Sequence, residues 1–486
     1  MIVKKRINQD FKFEMWNEDQ IYQLHQASLE ILRNTGVIVY DDEALKLLKD
    51  GGAYVKGNLV KIPAWMVEEA IKSAPSKILV TGVDKDKKVC LQQDYVNFGL
   101  GTDLPSFTDP YTGEVRPTVL EDIVNVGKVA QKAENIDFVA NLGLISDVPQ
   151  ELTDLYSFKV LRNNCGKPNL LTATGYGNMK ALIDMAAVNA GGYEELRKNP
   201  SMIQYAEPVS PLVNSEDAVQ KLLICAEYGI PITYASGIIA GATGPATLAG
   251  TLALGNAEGL AGLVMHQLKR KGSPFIYGLV FSVMDMRTTI SCYGGPELPM
   301  AHTIVGQLGR FYDLPTYGTG GCTDTNIIDA QAGMEAMYSN LLAVLGGTNL
   351  VHDNGYLGSG LIGSLEMILL DDEVISFIKR FKNSIDINSE TLALDLIDEV
   401  GHGGDFLTTE HTLRNFKKET WYPKYLNRKQ YLAWEQDGKP TINQKLNKRV
   451  INIIEEETPN ILSQSQIEQF DEIIEERKKE ISINQK

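Results

Sequence analysis

Six histidines, a set of tyrosines and a few carboxylates are the residues of this chain with the chemistry for a site, and their spacing narrows what they do. The histidines stand at 25, 266, 302, 352, 402 and 411, and no pair has the i, i+4 spacing that puts two metal ligands on one helix face. Glu297 precedes His302 by five residues, but no third ligand accompanies them. Five scattered cysteines make no C-x-x-C pair and read as reduced core thiols rather than a zinc site or disulfide framework. No metal site is expected. A G-x-S-x-G elbow is absent, so Ser/His/Asp chemistry lacks support. The loop containing Gly237, Gly241 and Gly244 has neither the Lys-Ser/Thr of a P-loop nor G-x-G-x-x-G spacing. It is either a tight turn with close helix packing or backbone kept bare for a large planar ligand. The residues alone do not choose.

The remaining candidates pair acids with aromatics. Asp103 is followed by Phe107, and Tyr205 by Glu207. Tyr293 precedes Glu297, Gly320-Gly321 leads to Asp324 and Asn326, and His352 stands four residues before Tyr356. Each has a plain alternative: Glu207 and Asp324 as helix caps, His352 as a satisfied core residue. Taken together, Tyr205, Tyr234, Phe281, Tyr293, Tyr317 and Tyr356 with acidic neighbours are the parts of a cage for a permanently charged alkylammonium.

Such residues need a scaffold that brings distant segments together. Eight short apolar or small-residue runs, at 95–102, 138–145, 169–175, 202–209, 231–239, 275–282, 314–321 and 349–355, read as strands. Helical patterns separate them, for example 119–132, 217–228, 248–271 and 329–345. Strand alternating with helix implies a parallel sheet, and eight repeats over this length predict a TIM (β/α)₈ barrel. The candidates follow strand ends, where such barrels place their chemistry. A doubly wound open sheet needs a glycine-rich phosphate loop after its first strand, but Gly99-Leu-Gly101 runs into Thr-Asp-Leu-Pro. The expected organisation is an N-terminal helical extension over 1–90, the barrel over 91–380 and C-terminal helices over 381–486. The stretch 451–486 reads as charged helix with little to bury.

Bulk composition is ordinary for a globular protein. Of 486 residues, 43% are hydrophobic and 22% charged, and the net charge is −16. That sign disfavours nucleic acid as a partner, although solubility alone accounts for it. No apolar run approaches the roughly 20 residues that span a bilayer. The first ten residues lack a signal's apolar stretch, so a cytoplasmic location without membrane contact is expected.

Three motifs carry a resemblance: Gly320-Gly-Cys-Thr-Asp-Thr-Asn-Ile-Ile-Asp-Ala-Gln-Ala-Gly333, Asn349-Leu-Val-His-Asp-Asn-Gly-Tyr356, and Gly401-His-Gly-Gly-Asp-Phe-Leu-Thr-Thr-Glu-His-Thr-Leu413, the last continuing to Phe416, Glu419, Trp421 and Pro423. Together they resemble the trimethylamine methyltransferase (MttB) family, from the N-terminal helices to about residue 430. The resemblance implies a TIM barrel that moves a methyl group to the cob(I)alamin of a separate corrinoid protein. The chain itself then binds no cofactor; the corrinoid arrives on its partner. Founding members carry pyrrolysine, and by this resemblance its place falls in or near Asp324–Asn326, where this chain has standard residues. That points to the branch acting on quaternary amines: glycine betaine first, with proline betaine, carnitine or γ-butyrobetaine as alternatives. A quaternary nitrogen leaves as a neutral amine, so positioning suffices. On this reading Tyr205, Tyr356, Glu207 and Asp103 form the cage, with Phe107, Tyr293 and Glu297 beside it. His352 and Asn326 hydrogen-bond the substrate's carboxylate, and Asp324 completes the reacting set. Gly237, Gly241, Gly244, Gly320 and Gly321 are the expected corrinoid-facing backbone. A homo-oligomer is also expected. Outside the family, a lyase or aldolase would need a strand-end lysine or an acidic metal cluster, and neither is evident. A non-catalytic betaine-binding barrel is the competing class.

Overall fold

The computed structural model describes residues 13–92, 95–383, 385–458 and 460–484. Eight parallel staves form the barrel, and we number them in chain order. Stave one is Asn97–Leu100, three Asn169–Leu171 and four Met202–Ala206. Stave five is Ile232–Tyr234, continued by Ser236–Ala240; six is Phe275–Asp285, seven Thr316–Thr319 and eight Leu350–Asn354. Continuous pairing runs one–eight–seven–six–five–four–three, all parallel. The second stave is the lightest. Phe138 bridges Gly99, Val139 bridges Asn169, and these two single bridges close the ring. Pairing was expected over 138–145 and is interrupted rather than continuous: Leu142 adopts a left-handed φ of 59° and the Gly143 N–H bonds back to the Asn141 carbonyl, and Gly143 then bridges Leu104.

Each stave is followed by its helix: α4 (Leu120–Lys132), α5 (Thr153–Asn164), α6 (Gly175–Ala190), α8 (Glu216–Tyr228), α9 (Leu248–Lys269), α10 (Glu297–Tyr312), α11 (Ala330–Gly346) and α12 (Leu365–Lys382). A short α7 (Tyr193–Lys198) precedes stave four. This is the expected (β/α)₈ order. Helix α9 is the one described helix long and apolar enough to cross a bilayer, and 78% of its apolar window is buried inside the protein. Its apolarity is explained by sitting between the sheet and the N-terminal elements, which cover its outer side.

Those elements are helices α1 (Glu18–Asn34), α2 (Asp42–Asp50) and α3 (Ala64–Ser73). Asn17 caps α1 reciprocally with Gln20, and Asp41 caps α2 through the Ala44 N–H at 2.7 Å. The N-terminal region is not purely helical, however. Val37–Val39, Tyr54–Lys56 and Leu59–Lys61 make a small sheet, completed in parallel by Val213–Asn214 from the loop after stave four. Val37-Ile-Val39 is β-branched throughout, and a helical count passes over so short a run. The consequence is functional: the N-terminal sheet grips the segment that follows Glu207.

After α12 come the short helices α13 (Ser389–Leu392), α14 (Leu394–Val400), α15 (Glu410–Glu419) and α16 (Tyr431–Gln436). Two longer helices, α17 (Ile442–Ile454) and α18 (Gln464–Asn484), close the chain. The tail was expected to bury little. In fact Val450, Ile453 and Ile454 pack in the core on α12 and α4, and Phe470 and Ile474 in that of α5 and α6.

Candidate active site

Staves four, seven and eight deliver three rings to one place. The rings of Tyr205 and His352 stack 5.9 Å apart at 11°, and Tyr317 lies 5.6 Å from each. His352 Nδ1 faces the Tyr317 hydroxyl at 3.0 Å and also the carboxylate of Asp353. Its Nε2 is buried with no partner, the free polar atom of the cluster. Tyr356 meets the His352 ring edge-on at 6.3 Å. Gly101 makes that possible, because a Cβ there would stand 1.9 Å from the Tyr356 ring. The Tyr356 hydroxyl is then locked, donating to the Thr102 carbonyl and accepting from the Thr102 N–H, both at 2.7 Å.

Glu207 closes the group from the loop after stave four. It accepts the Tyr205 hydroxyl proton in a short hydrogen bond, and Gly237 leaves room for it, since a Cβ there would meet Glu207 Oε2 at 2.9 Å. Water reaches the side chain although protein surrounds its carboxylate on most sides, the situation at the base of a funnel. Burial pushes the Glu207 carboxyl above the ordinary glutamate range; the Asp353 charge adds to this, and the Tyr205 hydrogen bond opposes it. Burial likewise raises the phenols of Tyr205, Tyr317, Tyr356 and Tyr293, so all four are neutral at physiological pH. A basin of neutral aromatic rings with carboxylates beside it attracts a cation through ring faces and charge together.

Asp103, after stave one, lies beside this basin. Its carboxylate accepts from Asn141 Nδ2 at 2.8 Å and Thr172 Oγ1 at 2.6 Å, so it joins the ends of three staves. Tyr293, after stave six, is held by Asp324: one Asp324 oxygen accepts from the Tyr293 N–H and from the Ser359 hydroxyl, both at 2.8 Å. Asp324 therefore staples the loops of staves six, seven and eight together. Glu335 of α11 holds that loop in turn, accepting from the Asp324 N–H at 2.9 Å.

Several expected site residues lie elsewhere. Phe107 is fully enclosed and packs against Gly363 and the core, so it is a core residue and not part of the basin. Glu297 begins α10 and hydrogen-bonds to none of the basin residues described; the first helical turn is where a carboxylate complements the helix dipole. Asn326 is exposed on the rim, beside Gly358. The glycines also settle. Gly241 has φ +85° in a tight turn, with Gly241 N bonded to the Gly244 carbonyl, and Gly244 lies against Thr251. Gly320 lies under Asn340 and Val351, and Gly321 under Asn354. Gly320 and Gly321 are buried and serve close packing, whereas Gly241 and Gly244 shape a half-exposed turn. Tyr317, Asp353, Asn141, Thr172 and Gly101 belong to the geometry and were not singled out as site residues from sequence; Tyr317 alone was noted as a strand-end aromatic.

A protein-family model described as trimethylamine methyltransferase (MTTB) matches residues 2–482. The trimethylamine methyltransferase MttB of Desulfitobacterium hafniense (strain DSM 10664 / DCB-2) is 33% identical over 473 residues, 96% of this chain and 95% of its own. The glycine betaine methyltransferase of Desulfitobacterium hafniense (strain Y51) is 31% identical over 428 residues, 88% of this chain and 89% of its own. The solved Methanosarcina barkeri monomethylamine methyltransferase (MtmB) has the same fold, with a TM-score of 0.51 over 90% of this chain and 92% of that one, at 14% identity. The match of a family model across nearly the whole chain, on a closed barrel with its basin at the strand ends, places this protein in the trimethylamine methyltransferase (MttB) family of methyltransferases.

Proposed function

We propose that this chain takes a methyl group from a quaternary amine, with glycine betaine the first choice, and hands it to a corrinoid carried by a partner protein. The observation that carries this is the aromatic basin: Tyr205, Tyr317 and Tyr356 around His352, with Glu207 reached by water at its entrance. A quaternary ammonium donates no hydrogen bond and has no lone pair, so ring faces and a nearby carboxylate hold it by charge alone and leave its methyl carbons open to attack. His352 Nε2 then meets the substrate's carboxylate, with Nδ1 held between the Tyr317 hydroxyl and the Asp353 carboxylate. The residues bind and orient, and no acid or base is required, because the departing amine is neutral.

Cob(I)alamin supplies the nucleophile when the partner presents it. The loops after staves six, seven and eight suit that approach: Met286, Ile290, Ile327 and Leu361 are exposed around the mouth, an apolar collar for a corrin face or its carrier. The relative at 33% identity favours a second reading, trimethylamine as substrate. A panel of glycine betaine, proline betaine, carnitine, γ-butyrobetaine and trimethylamine with cob(I)alamin, quantifying the demethylated amine, separates the two. Dimethylglycine from glycine betaine and no product from trimethylamine is the expected result. Turnover of trimethylamine, or of none of the five, overturns the proposal.

A further inference from the structure

From Lys379 to Lys445 no described residue is buried, although this stretch holds four helices. Helices α13, α14, α15 and α16 have 4, 7, 10 and 6 residues. Isolated helices shorter than about 12 residues are marginal in water and depend on packing of an apolar face. Yet here the apolar side chains point outward: Ile385 is 75% exposed, Ile387 80%, Leu407 76% and Leu413 71%, with Leu394 and Leu432 similar. Large apolar side chains left open to solvent in such number are the surface a partner covers. The arm also curls round a cavity of about 580 Å³ walled by Leu396, Val400, His411 and Arg414 among others, open to receive a side chain.

Its base, by contrast, is fixed to α12. Glu373 accepts the N–H groups of Lys424, Tyr425 and Leu426 at 3.0 to 3.2 Å. Trp421 Nε1 donates to Ser376 Oγ at 2.9 Å, and Arg380 donates to the Glu419 carbonyl at 3.0 Å. Two of the four helices are capped as well, α13 by Asn388 and α15 by Thr409. A segment anchored and capped, but without a core of its own, is packed by something else.

Its charge pattern says what. Residues 385–410 carry seven carboxylates and no lysine or arginine, whereas 411–430 carry six cations and one carboxylate. A segment whose charge is divided in this way along the chain is complementary to a second copy turned by a two-fold axis, which is the requirement of an isologous contact. We propose that this arm is the contact between two copies of this chain, each acidic half lying on the other copy's basic half.

The test uses the full chain and measures mass in solution by light scattering at micromolar concentration. Wild type is expected at twice the chain mass or an even multiple of it. Reversing the basic half (K417E with K418E), or the acidic half (D398K with E399K), should each halve that mass. All four residues are exposed, so the reversals leave the fold intact, which far-ultraviolet circular dichroism checks. Leu407→Glu should give the same halving by a different route. An equimolar mixture of the two reversals restores both charge pairings and should recover the doubled mass. A monomeric wild type, a mass that survives the reversals and Leu407→Glu, or a mixture that stays at half mass overturns the proposal; the first two outcomes would leave the arm to a different protein.

Discussion

Tyr205 stands on stave four and Glu207 just beyond its end, and their hydrogen bond ties an exposed carboxylate of the basin to the stack of Tyr205 on His352. A cationic ligand stabilises the ionised carboxylate, while burial in the free protein favours the protonated one. Betaine affinity should therefore rise with pH as the solution climbs through a Glu207 value above the ordinary 4.5, and a proton should be released on binding below it. Calorimetric titration in two buffers of different ionisation enthalpy measures this; Glu207→Gln should flatten the profile and weaken binding. The same linkage has a stability side. With a folded-state value raised above the unfolded one, Glu207's contribution is fully present at low pH and lost as pH rises through the folded value. For His352, removal of one hydrogen bond to a charged group costs about 1.5–3 kcal/mol, roughly ten- to 150-fold in affinity. His352→Phe should lose that much betaine affinity while keeping the stack on Tyr205. An unchanged affinity would make the ring a packing residue. Two other histidines are excluded from this chemistry: burial pushes His266 and His302 down to about 3. Glu207 and His352 were legible in the sequence because each stands at a predicted strand end. Asp353 was not. Strand alternation sets neighbours on opposite faces, but the register shifts between Val351 and Asn354 and Asp353 has a φ of 80°, which brings consecutive residues to one site.

At the level of elements, the site depends on how strand ends and loops are fastened. Gly101 is the sharpest case. Gly101→Ala would drive a methyl into the Tyr356 ring, and relief requires breaking that residue's two bonds to Thr102. We expect a loss of about 1–3 kcal/mol in stability, as for an overpacked core, together with loss of betaine binding; melting and titration of the same sample read both. Asp324 is the second fastening. Asp324→Ala frees the Tyr293 N–H and the Ser359 hydroxyl at once, so the loops after staves six and eight should loosen together. Limited proteolysis should show coincident new cuts near 293 and 359, and a cut at one alone would refute a shared staple. Eight staves were readable as short apolar runs, and the helical patterns over 119–132, 217–228, 248–271 and 329–345 between them. The N-terminal sheet was hidden by strands of three residues, too short to display alternation. The chemistry of the glycine loops was hidden for another reason. A glycine that admits a neighbouring side chain and one that admits a ligand have the same letter.

Across the whole molecule, the ring is fastened unevenly. Five residue pairs join stave six to the second part of stave five, while the second stave holds stave three by one bridge and the stave-one segment by two, Gly99 to Phe138 and Leu104 to Gly143. The barrel therefore has a seam. Hydrogen exchange under native conditions should find the Val139 and Leu170 amides, which bond across it, opening before those of Gln204 and Tyr277. Exchange of all four at one rate would mean the ring opens only as a whole. Across this seam lies Asp103, which accepts from Asn141 beyond stave two and from Thr172 beyond stave three while itself following stave one. It acts as a clasp: the three loosest strand ends are drawn together by one carboxylate that borders the basin. A ligand engaging Asp103 would compete for the clasp, and one bound beside it would tighten it. Whether the barrel breathes more or less in the presence of substrate is thus decided at a single side chain.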